Sequence, residues 1–79
     1  MPGKPQVFLI AGSDPSAGAG IQLDIRIAEQ KKCHPLALTS LLTVQNSHGV
    51  SAWRPVDSDY LFAAFRSICA DFNFAAIKI

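Results

Sequence analysis

Three features are scarce in this sequence: charge of one sign, cysteine, and long hydrophobic runs. Seven basic residues stand against six acidic ones, for a formal net charge of +1, which offers no electrostatic footprint for nucleic acid or an anionic membrane. The two cysteines, Cys33 and Cys69, form no CxxC pair, a pattern that favours reduced thiols over a disulfide. The apolar runs are far shorter than the roughly 20 residues that span a bilayer. These absences predict a cytoplasmic protein with no nucleic-acid partner and no membrane segment.

The length of the chain limits it to one structural unit. With 79 residues, 49% of them hydrophobic, the sequence has no room for a second domain. A chain of this size buries only about 60% of the surface that it exposes when unfolded. We therefore expect a small core, or a core that is completed by other residues.

The first half of the chain predicts a strand followed by a helix. The run VFLIA, residues 7–11, is short, apolar and bounded by glycine, which predicts a strand buried on both faces. The segment IQLDIRIAEQKK, residues 21–32, is ambiguous, because its apolar residues alternate as in a strand while Ile21, Ile25 and Ala28 share one helical face. A helix is favoured, since a glycine-rich loop precedes it and Lys31 and Lys32 suit a helix C-terminus.

The second half predicts a strand, a hairpin, a helix and a last strand. LALTSLLTV (36–44) is predicted to be a buried strand, QNSHGV (45–50) a turn and VSAWRPV (50–56) a short edge strand. A helix follows, capped by Asp57 or Ser58, and its apolar residues on one face are Leu61, Phe62, Phe65, Ile68 and Cys69. FAAIKI (74–79) is predicted to be the last strand. The order β-α-β-(β)-α-β predicts an α/β fold with a mostly parallel sheet and right-handed crossovers. Such sheets normally contain more elements, so we expect the N-terminal part of a larger α/β protein.

The loop AGSDPSAGAG, residues 11–20, joins the first strand to the first helix. It fails the dinucleotide fingerprint GxGxxG, because Leu23 stands where the third glycine belongs, and it lacks the lysine of a P-loop. Its glycines therefore serve either close packing of helix on sheet or close approach of backbone to a ligand. We expect Ser13, Asp14 and Ser16 to organise the loop through local hydrogen bonds.

A few polar and aromatic residues are candidates for function. Asp24 is either an exposed acid near the positive end of the helix or a carboxylate facing a cavity above the loop. Gln45 is either a turn residue bonded to its own backbone or a carboxamide suited to the amino and ring-nitrogen edge of an aminopyrimidine. The two histidines lack zinc-site spacing, so no metal site is predicted. Trp53 and Tyr60 are predicted to be core or interface residues.

Three segments resemble a known family. LIAGSDPSAGAGIQLD (9–24), TVQNSHGV (43–50) and AAIKI (75–79) are similar to the N-terminal third of hydroxymethylpyrimidine and phosphomethylpyrimidine kinases of thiamin biosynthesis. The resemblance implies a ribokinase-like fold, with residues 1–79 as the N-terminal portion of a single, incomplete kinase domain. It also implies transfer of the γ-phosphoryl group of ATP, with Mg²⁺, to the hydroxymethyl group of the pyrimidine and then to its monophosphate.

The resemblance also implies a site. Gly12, Asp24, Thr43 and Gln45 are at positions that line the pyrimidine pocket of the family. The family's catalytic cysteine, its anion hole and most of its ATP site lie beyond residue 79, so the resemblance implies no catalytic residue here and no activity of this segment alone. It implies a homodimer for the full-length protein. Two alternatives stay open: a pyridoxal or pyridoxine kinase, and a non-catalytic pyrimidine-binding or assembly domain.

The sequence departs from the family pattern in two places. QKKCHP, residues 30–35, replaces a segment that usually contains a glycine after the first helix, and Ala17 stands where the loop usually has glycine. The first change removes the residue type that most often closes a helix C-terminus. We therefore expect the end of the first helix to be held less tightly.

Overall fold

The computed structural model describes residues 3–79 and contains the six predicted elements in the predicted order. They are β1 (Gln6–Gly12), α1 (Gly20–Gln30), β2 (His34–Asn46), β3 (Gly49–Pro55), α2 (Ser58–Asp71) and β4 (Ala76–Lys78). The choice of helix over strand for the ambiguous first segment is confirmed. Neither helix in the described range is long and apolar enough to cross a membrane.

The four strands form one sheet in the order β3-β2-β1-β4. Strand β1 lies in the middle and pairs in parallel with both β2 and β4. Strand β3 folds back antiparallel on β2 and forms one edge, as the hairpin signal predicted. The sheet is therefore mostly parallel, and the carboxyl ends of β1, β2 and β4 share one edge.

Neighbouring residues of a strand point to opposite faces of the sheet. One helix packs on each of these faces. Phe8 is fully buried on the face that carries α2, where its ring packs against Phe65 and Phe74 with centroids 5.6 and 5.3 Å away. Leu9 is buried on the other face, against Ile21 and other residues of α1. Two small cores result, one under each helix.

The second helix packs through a narrower face than its sequence spacing predicts. Asp57 caps it, since its carboxylate accepts a hydrogen bond from the backbone N–H of Tyr60. Leu61, Phe65 and Ile68 pack on the sheet as predicted, but Phe62 is 63% exposed. Cys69 is exposed as well. Both were wrongly placed on the packed face, because the sheet contacts only one stripe of the helix.

The aromatic residues Trp53 and Tyr60 do not belong to the core of this chain. Trp53, on edge strand β3, is 68% exposed and Tyr60 is 65% exposed. The second half of β2 also differs from the fully buried strand that was predicted, since Leu42 and Val44 are 52% and 63% exposed. Helix α2 covers the first half of β2, where Leu36 and Leu38 are buried, and leaves the second half open on that face.

The first helix ends tightly although it lacks the usual glycine. Lys32 takes the left-handed conformation, with φ 59°. Its N–H donates to the carbonyl of Glu29, and the N–H of Cys33 donates to that of Ala28 at 2.9 Å. These two bonds are the Schellman motif, and Cys33 also packs near Ala28 as that motif commonly requires. The expectation of a loosely held helix end is therefore wrong, because a lysine adopts the glycine conformation.

Candidate functional site

The site is built where the carboxyl end of β1 meets the glycine-rich loop. The N–H of Ser13 donates to the carbonyl of Leu41 at 2.8 Å, which continues the pairing of β1 with β2 into the loop. A Cβ on Gly12 would lie 3.2 Å from Cβ of Leu41. Gly12 thus allows the close approach of β1 to β2, and its contact with substrate stays a prediction.

A second glycine fixes the path from the loop into the helix. Gly20 has φ +68°, and a Cβ there would lie 2.6 Å from the carbonyl oxygen of Gly12. An L-residue would therefore meet both backbone strain and a steric clash. The helix can begin directly over the end of β1 only because this position carries no side chain.

Asp14 makes several of the hydrogen bonds that shape the loop. Its Oδ1 accepts hydrogen bonds from the backbone N–H of Ser16 at 3.0 Å and from the Ser16 hydroxyl at 2.8 Å. The carbonyl of Asp14 also accepts from the N–H of Ala17 at 2.9 Å, closing a tight turn, and Ala17 then takes a left-handed φ of 60°. The prediction that Asp14 and Ser16 organise the loop through local bonds is confirmed.

These donors act on the ionisation of Asp14. Hydrogen bonds from the Ser16 hydroxyl, the largest influence, and from the Ser16 backbone N–H hold the pKa of Asp14 below its usual value of 3.8. Burial opposes this shift, and the N–H groups of Ala19 and Gly18 add weaker contributions to it. The backbone N–H of Ser16, a donor that could otherwise bind a phosphate, therefore already faces a carboxylate of the protein. An ionised Asp14 at this position disfavours an anion such as phosphate in the loop.

Two polar side chains of β2 reach the same loop. The hydroxyl of Thr43 donates to the carbonyl of Ser13 at 3.1 Å, and Nε2 of Gln45 donates to Oδ1 of Asp14 at 2.7 Å. Alternate residues of a strand share a face, so both point to the side of the sheet that carries the loop. Gln45 pairs with Val50 within the hairpin. The alternative that Gln45 is a turn residue bonded to its own backbone is therefore wrong.

Sequence reasoning missed the part played by Gln22. In the first turns of α1, its Oε1 accepts from the N–H of Asp14 at 2.7 Å, while its Nε2 donates to the hydroxyl of Ser13 at 2.8 Å. One carboxamide thus ties two successive loop residues to the helix. A polar residue next to the apolar Ile21 was the available signal, but its partners lie eight and nine positions back along the chain.

Asp24 lies apart from this group and has a different partner. Both of its carboxylate oxygens accept from Nζ of Lys78 at 2.9 Å, which links α1 to β4. The Asp24 side chain is 10% exposed and that of Lys78 60% exposed. The alternative that Asp24 is an exposed helix acid is therefore wrong. The ion pair sits at the carboxyl end of β4, where Lys78 pairs with Leu9, three residues before β1 ends at Gly12.

The arrangement presents hydrogen-bonding side chains at the end of β1, of the kind that could bind a small ligand. Thr43 and Gln45 converge on the loop that follows Gly12, while Asp24 stands with Lys78. Residues 3–79 contain no cluster of three His, Cys, Asp or Glu side chains that could hold a metal ion. Residues 3–79 therefore present a hydrogen-bonded loop at the carboxyl end of β1, with the carboxamide of Gln45 beside it.

Comparison of the fold and sequence with known proteins identifies the class. In three dimensions the chain matches the crystal structure of phosphomethylpyrimidine kinase from Clostridium difficile 630 with a TM-score of 0.90 and 30% identity, over 96% of this chain and 33% of that one. A pyridoxal kinase of Bacillus subtilis matches with a TM-score of 0.81 and 26% identity, over 94% and 30%. The predicted α/β fold of ribokinase-like kinases is confirmed.

The sequence comparisons then identify the family. The sequence model described as phosphomethylpyrimidine kinase matches residues 14–79, and the chain belongs to this family. A hydroxymethylpyrimidine/phosphomethylpyrimidine kinase of Streptomyces coelicolor is 38% identical, over 94% of this chain and 28% of the relative. A chloroplastic thiamine biosynthetic bifunctional enzyme of Arabidopsis thaliana is 32% identical, over 94% of this chain and 14% of its own length. The chain thus spans a third or less of these relatives.

Proposed function

We propose that the protein carrying these residues phosphorylates 4-amino-5-hydroxymethyl-2-methylpyrimidine, its monophosphate, or both, with ATP, in thiamin biosynthesis. The observation that carries the proposal is the family match over residues 14–79. It includes Asp14, Thr43 and Gln45, the side chains that meet at the carboxyl edge of the sheet. Ligands of open α/β sheets bind at this edge, outside the carboxyl ends of the strands.

In this proposal the pocket residues are those predicted from the sequence. Gln45 reads the amino group and ring nitrogen of the pyrimidine, since a carboxamide offers both an acceptor and donors. Thr43 and the backbone at Gly12 form the wall beside the ring. Asp24, held by Lys78 at 2.9 Å, organises the end of the pocket next to β4. A mostly apolar pocket with a few oriented polar groups is the usual form of a small-molecule site.

The nucleotide belongs to another part of the protein in this proposal. The N–H and the hydroxyl of Ser16 are bound to Asp14, so ATP and Mg²⁺ are assigned to residues beyond 79 in a longer chain, together with the catalytic group. Residues 1–79 are then the N-terminal portion of one kinase domain and are inactive alone, because phosphoryl transfer depends on positioning and charge stabilisation around the nucleotide. The complete enzyme is proposed to be a cytoplasmic homodimer.

Isothermal titration of the complete natural chain with hydroxymethylpyrimidine tests the pocket. Replacing Gln45→Ala removes two proposed hydrogen bonds, each with a net value of about 1 kcal/mol, so we expect affinity to fall by about tenfold or more. The matched control is Gln30→Ala, which removes an exposed carboxamide at the end of α1 and should leave affinity unchanged. Equal affinity of the Gln45→Ala and wild-type proteins would contradict the pocket assignment.

A pyridoxal kinase is the second candidate, favoured by the structural match to the Bacillus subtilis pyridoxal kinase. A hydroxymethyl-bearing pyridine has nearly the same shape as the pyrimidine, but it lacks the amino and ring-nitrogen edge that Gln45 is proposed to read. Competition between the two substrates for phosphoryl transfer separates the candidates. Turnover of pyridoxal equal to or above that of the pyrimidine would select the second. Binding without any transfer by the complete chain would select a non-catalytic pyrimidine-binding domain.

A further inference from the structure

The bond between Asp14 and Gln45 determines which way the Gln45 carboxamide faces. An ionised carboxylate only accepts hydrogen bonds, so the amino end of the carboxamide has to point at it. Nε2 of Gln45 lies 2.7 Å from Oδ1 of Asp14. Turning the carboxamide by 180° would place its oxygen against the carboxylate oxygen, two acceptors at the distance of a hydrogen bond. The orientation with Nε2 toward Asp14 is therefore the favoured one.

Asp14 is itself held in place and kept ionised. Two hydrogen bonds from Ser16, at 3.0 and 2.8 Å, fix its Oδ1. The N–H of Asp14 is bound to the Gln22 side chain at 2.7 Å, so the backbone at this position is anchored to the helix. The carboxylate that orients Gln45 is thus a fixed part of the loop.

The orientation decides which hydrogen-bonding groups remain for a ligand. One amino hydrogen of Gln45 is committed to Asp14, which leaves the oxygen Oε1 and the other amino hydrogen. This acceptor and donor complement a heterocycle with an amino group next to a ring nitrogen, in the way that glutamine reads adenine. They do not complement a ring of the same shape that presents a carbonyl next to an N–H. In that case Oε1 of Gln45 faces the ring carbonyl oxygen, so two acceptors meet, and the Gln45 amino group faces the ring N–H, so two donors meet.

We propose that Asp14 is a specificity-determining positioning residue, which makes the site select a 4-aminopyrimidine over the corresponding 4-oxopyrimidine by locking the Gln45 carboxamide. The inference rests on the proposed function, in which Gln45 faces the pyrimidine. Asp14 touches no substrate in this account and acts only through Gln45. Sites built around a fixed hydrogen-bond pattern discriminate strongly against ligands that leave their polar groups unpaired.

The test compares two substrates in the complete natural chain. The ratio of kcat/KM for hydroxymethyl-aminopyrimidine to that for its 4-oxo analogue is measured in the wild type and in Asp14→Asn. An asparagine offers both a donor and an acceptor, so Gln45 can then turn either way, and we expect the ratio to fall at least tenfold. Ser16→Ala is the control, since it removes the hydroxyl bond to Asp14 but keeps the backbone N–H bond that holds Oδ1 and the bond to Gln45; its ratio should stay within twofold of wild type.

The outcomes separate this inference from the proposed function. Equal losses for both substrates in Asp14→Asn would overturn the inference and leave the kinase assignment intact. Wild-type protein that binds neither pyrimidine would refute the proposed function. In that case the side-chain amide resonances of Gln45, assigned by their loss in Gln45→Ala, decide whether Asp14 orients this group. Resonances that do not shift in Asp14→Asn would overturn the inference on their own.

Discussion

Replacing Lys32 by glycine is expected to stabilise the protein. Lys32 is exposed and has φ 59°, a conformation that costs an L-residue about 1–2 kcal/mol. Glycine adopts it without that cost but loses more conformational freedom on folding, worth about 0.5–1 kcal/mol. The net gain expected for Lys32→Gly is about 0.5–1 kcal/mol.

Lys31 provides the matched control, because it is the same residue, exposed and adjacent, with φ −90° and ψ 12°. Lys31→Gly carries only the entropic cost of glycine and should destabilise by about 0.5–1 kcal/mol. The entropic costs of the two variants are nearly equal, so their difference isolates the left-handed conformation at about 1–2 kcal/mol.

The assay is equilibrium unfolding in urea of the complete natural chain, followed by circular dichroism. We expect the urea midpoint of Lys32→Gly to be higher than that of the wild type, and the midpoint of Lys31→Gly to be lower. The dependence of the unfolding free energy on urea concentration should be the same for all three proteins. Two variants with the same midpoint would refute the reasoning, because they would show that the left-handed residue carries no cost in the native state. A lower midpoint for Lys32→Gly than for Lys31→Gly would refute it also.

Three further outcomes are expected from the loop and the helix that follows it. Gly20→Ala should destabilise by about 1–2 kcal/mol from its positive φ alone, with more from the 2.6 Å approach to the Gly12 carbonyl; a urea midpoint equal to wild type would contradict this. Gln22→Met keeps the length of the side chain but loses two hydrogen bonds and should cost about 1–2 kcal/mol, which thermal unfolding beside Gln30→Met would measure. The lowered pKa of Asp14 means that its contribution to stability is complete above the usual value of 3.8 and is lost as pH falls through the lowered pKa. Asp14→Asn should therefore lose less stability than wild type on acidification below that value, and parallel curves of midpoint against pH would show that the pKa is not linked to folding.

The elements of this fold were predictable because each carries a local signal. The short apolar run of β1, the capping residue Asp57 and the turn residues around Gly49 act over a few positions, and the structure places an element boundary at each. Faces and exposure were less predictable. Phe62 matches the apolar spacing of α2 and yet is 63% exposed. The sheet beneath α2 covers only one side of the helix, and its width decides which apolar residues are buried.

The sequence indicated candidate positions for the site and not the contacts that those residues make. Gln45 bonds Asp14 across 31 positions, and Lys78 bonds Asp24 across 54. Such pairs depend on the order β3-β2-β1-β4 and on strand register, which local patterns do not encode. The sequence therefore predicted Gln45 at the carboxyl end of its strand, while its bond to Asp14 and the separate pairing of Asp24 with Lys78 required the fold.

The polar groups of the loop have largely satisfied one another, and this has a consequence for recognition. Ser13 and Gln22 are bonded together, and Asp14 accepts from both Ser16 and Gln45. Within residues 3–79, Oε1 of Gln45 has no partner in this network, so it is available as an acceptor for a ligand at this edge. The other polar residues stiffen the loop around it. In the proposed pocket, discrimination between ligands rests on this oriented carboxamide, and its selectivity depends on how firmly the loop holds that group.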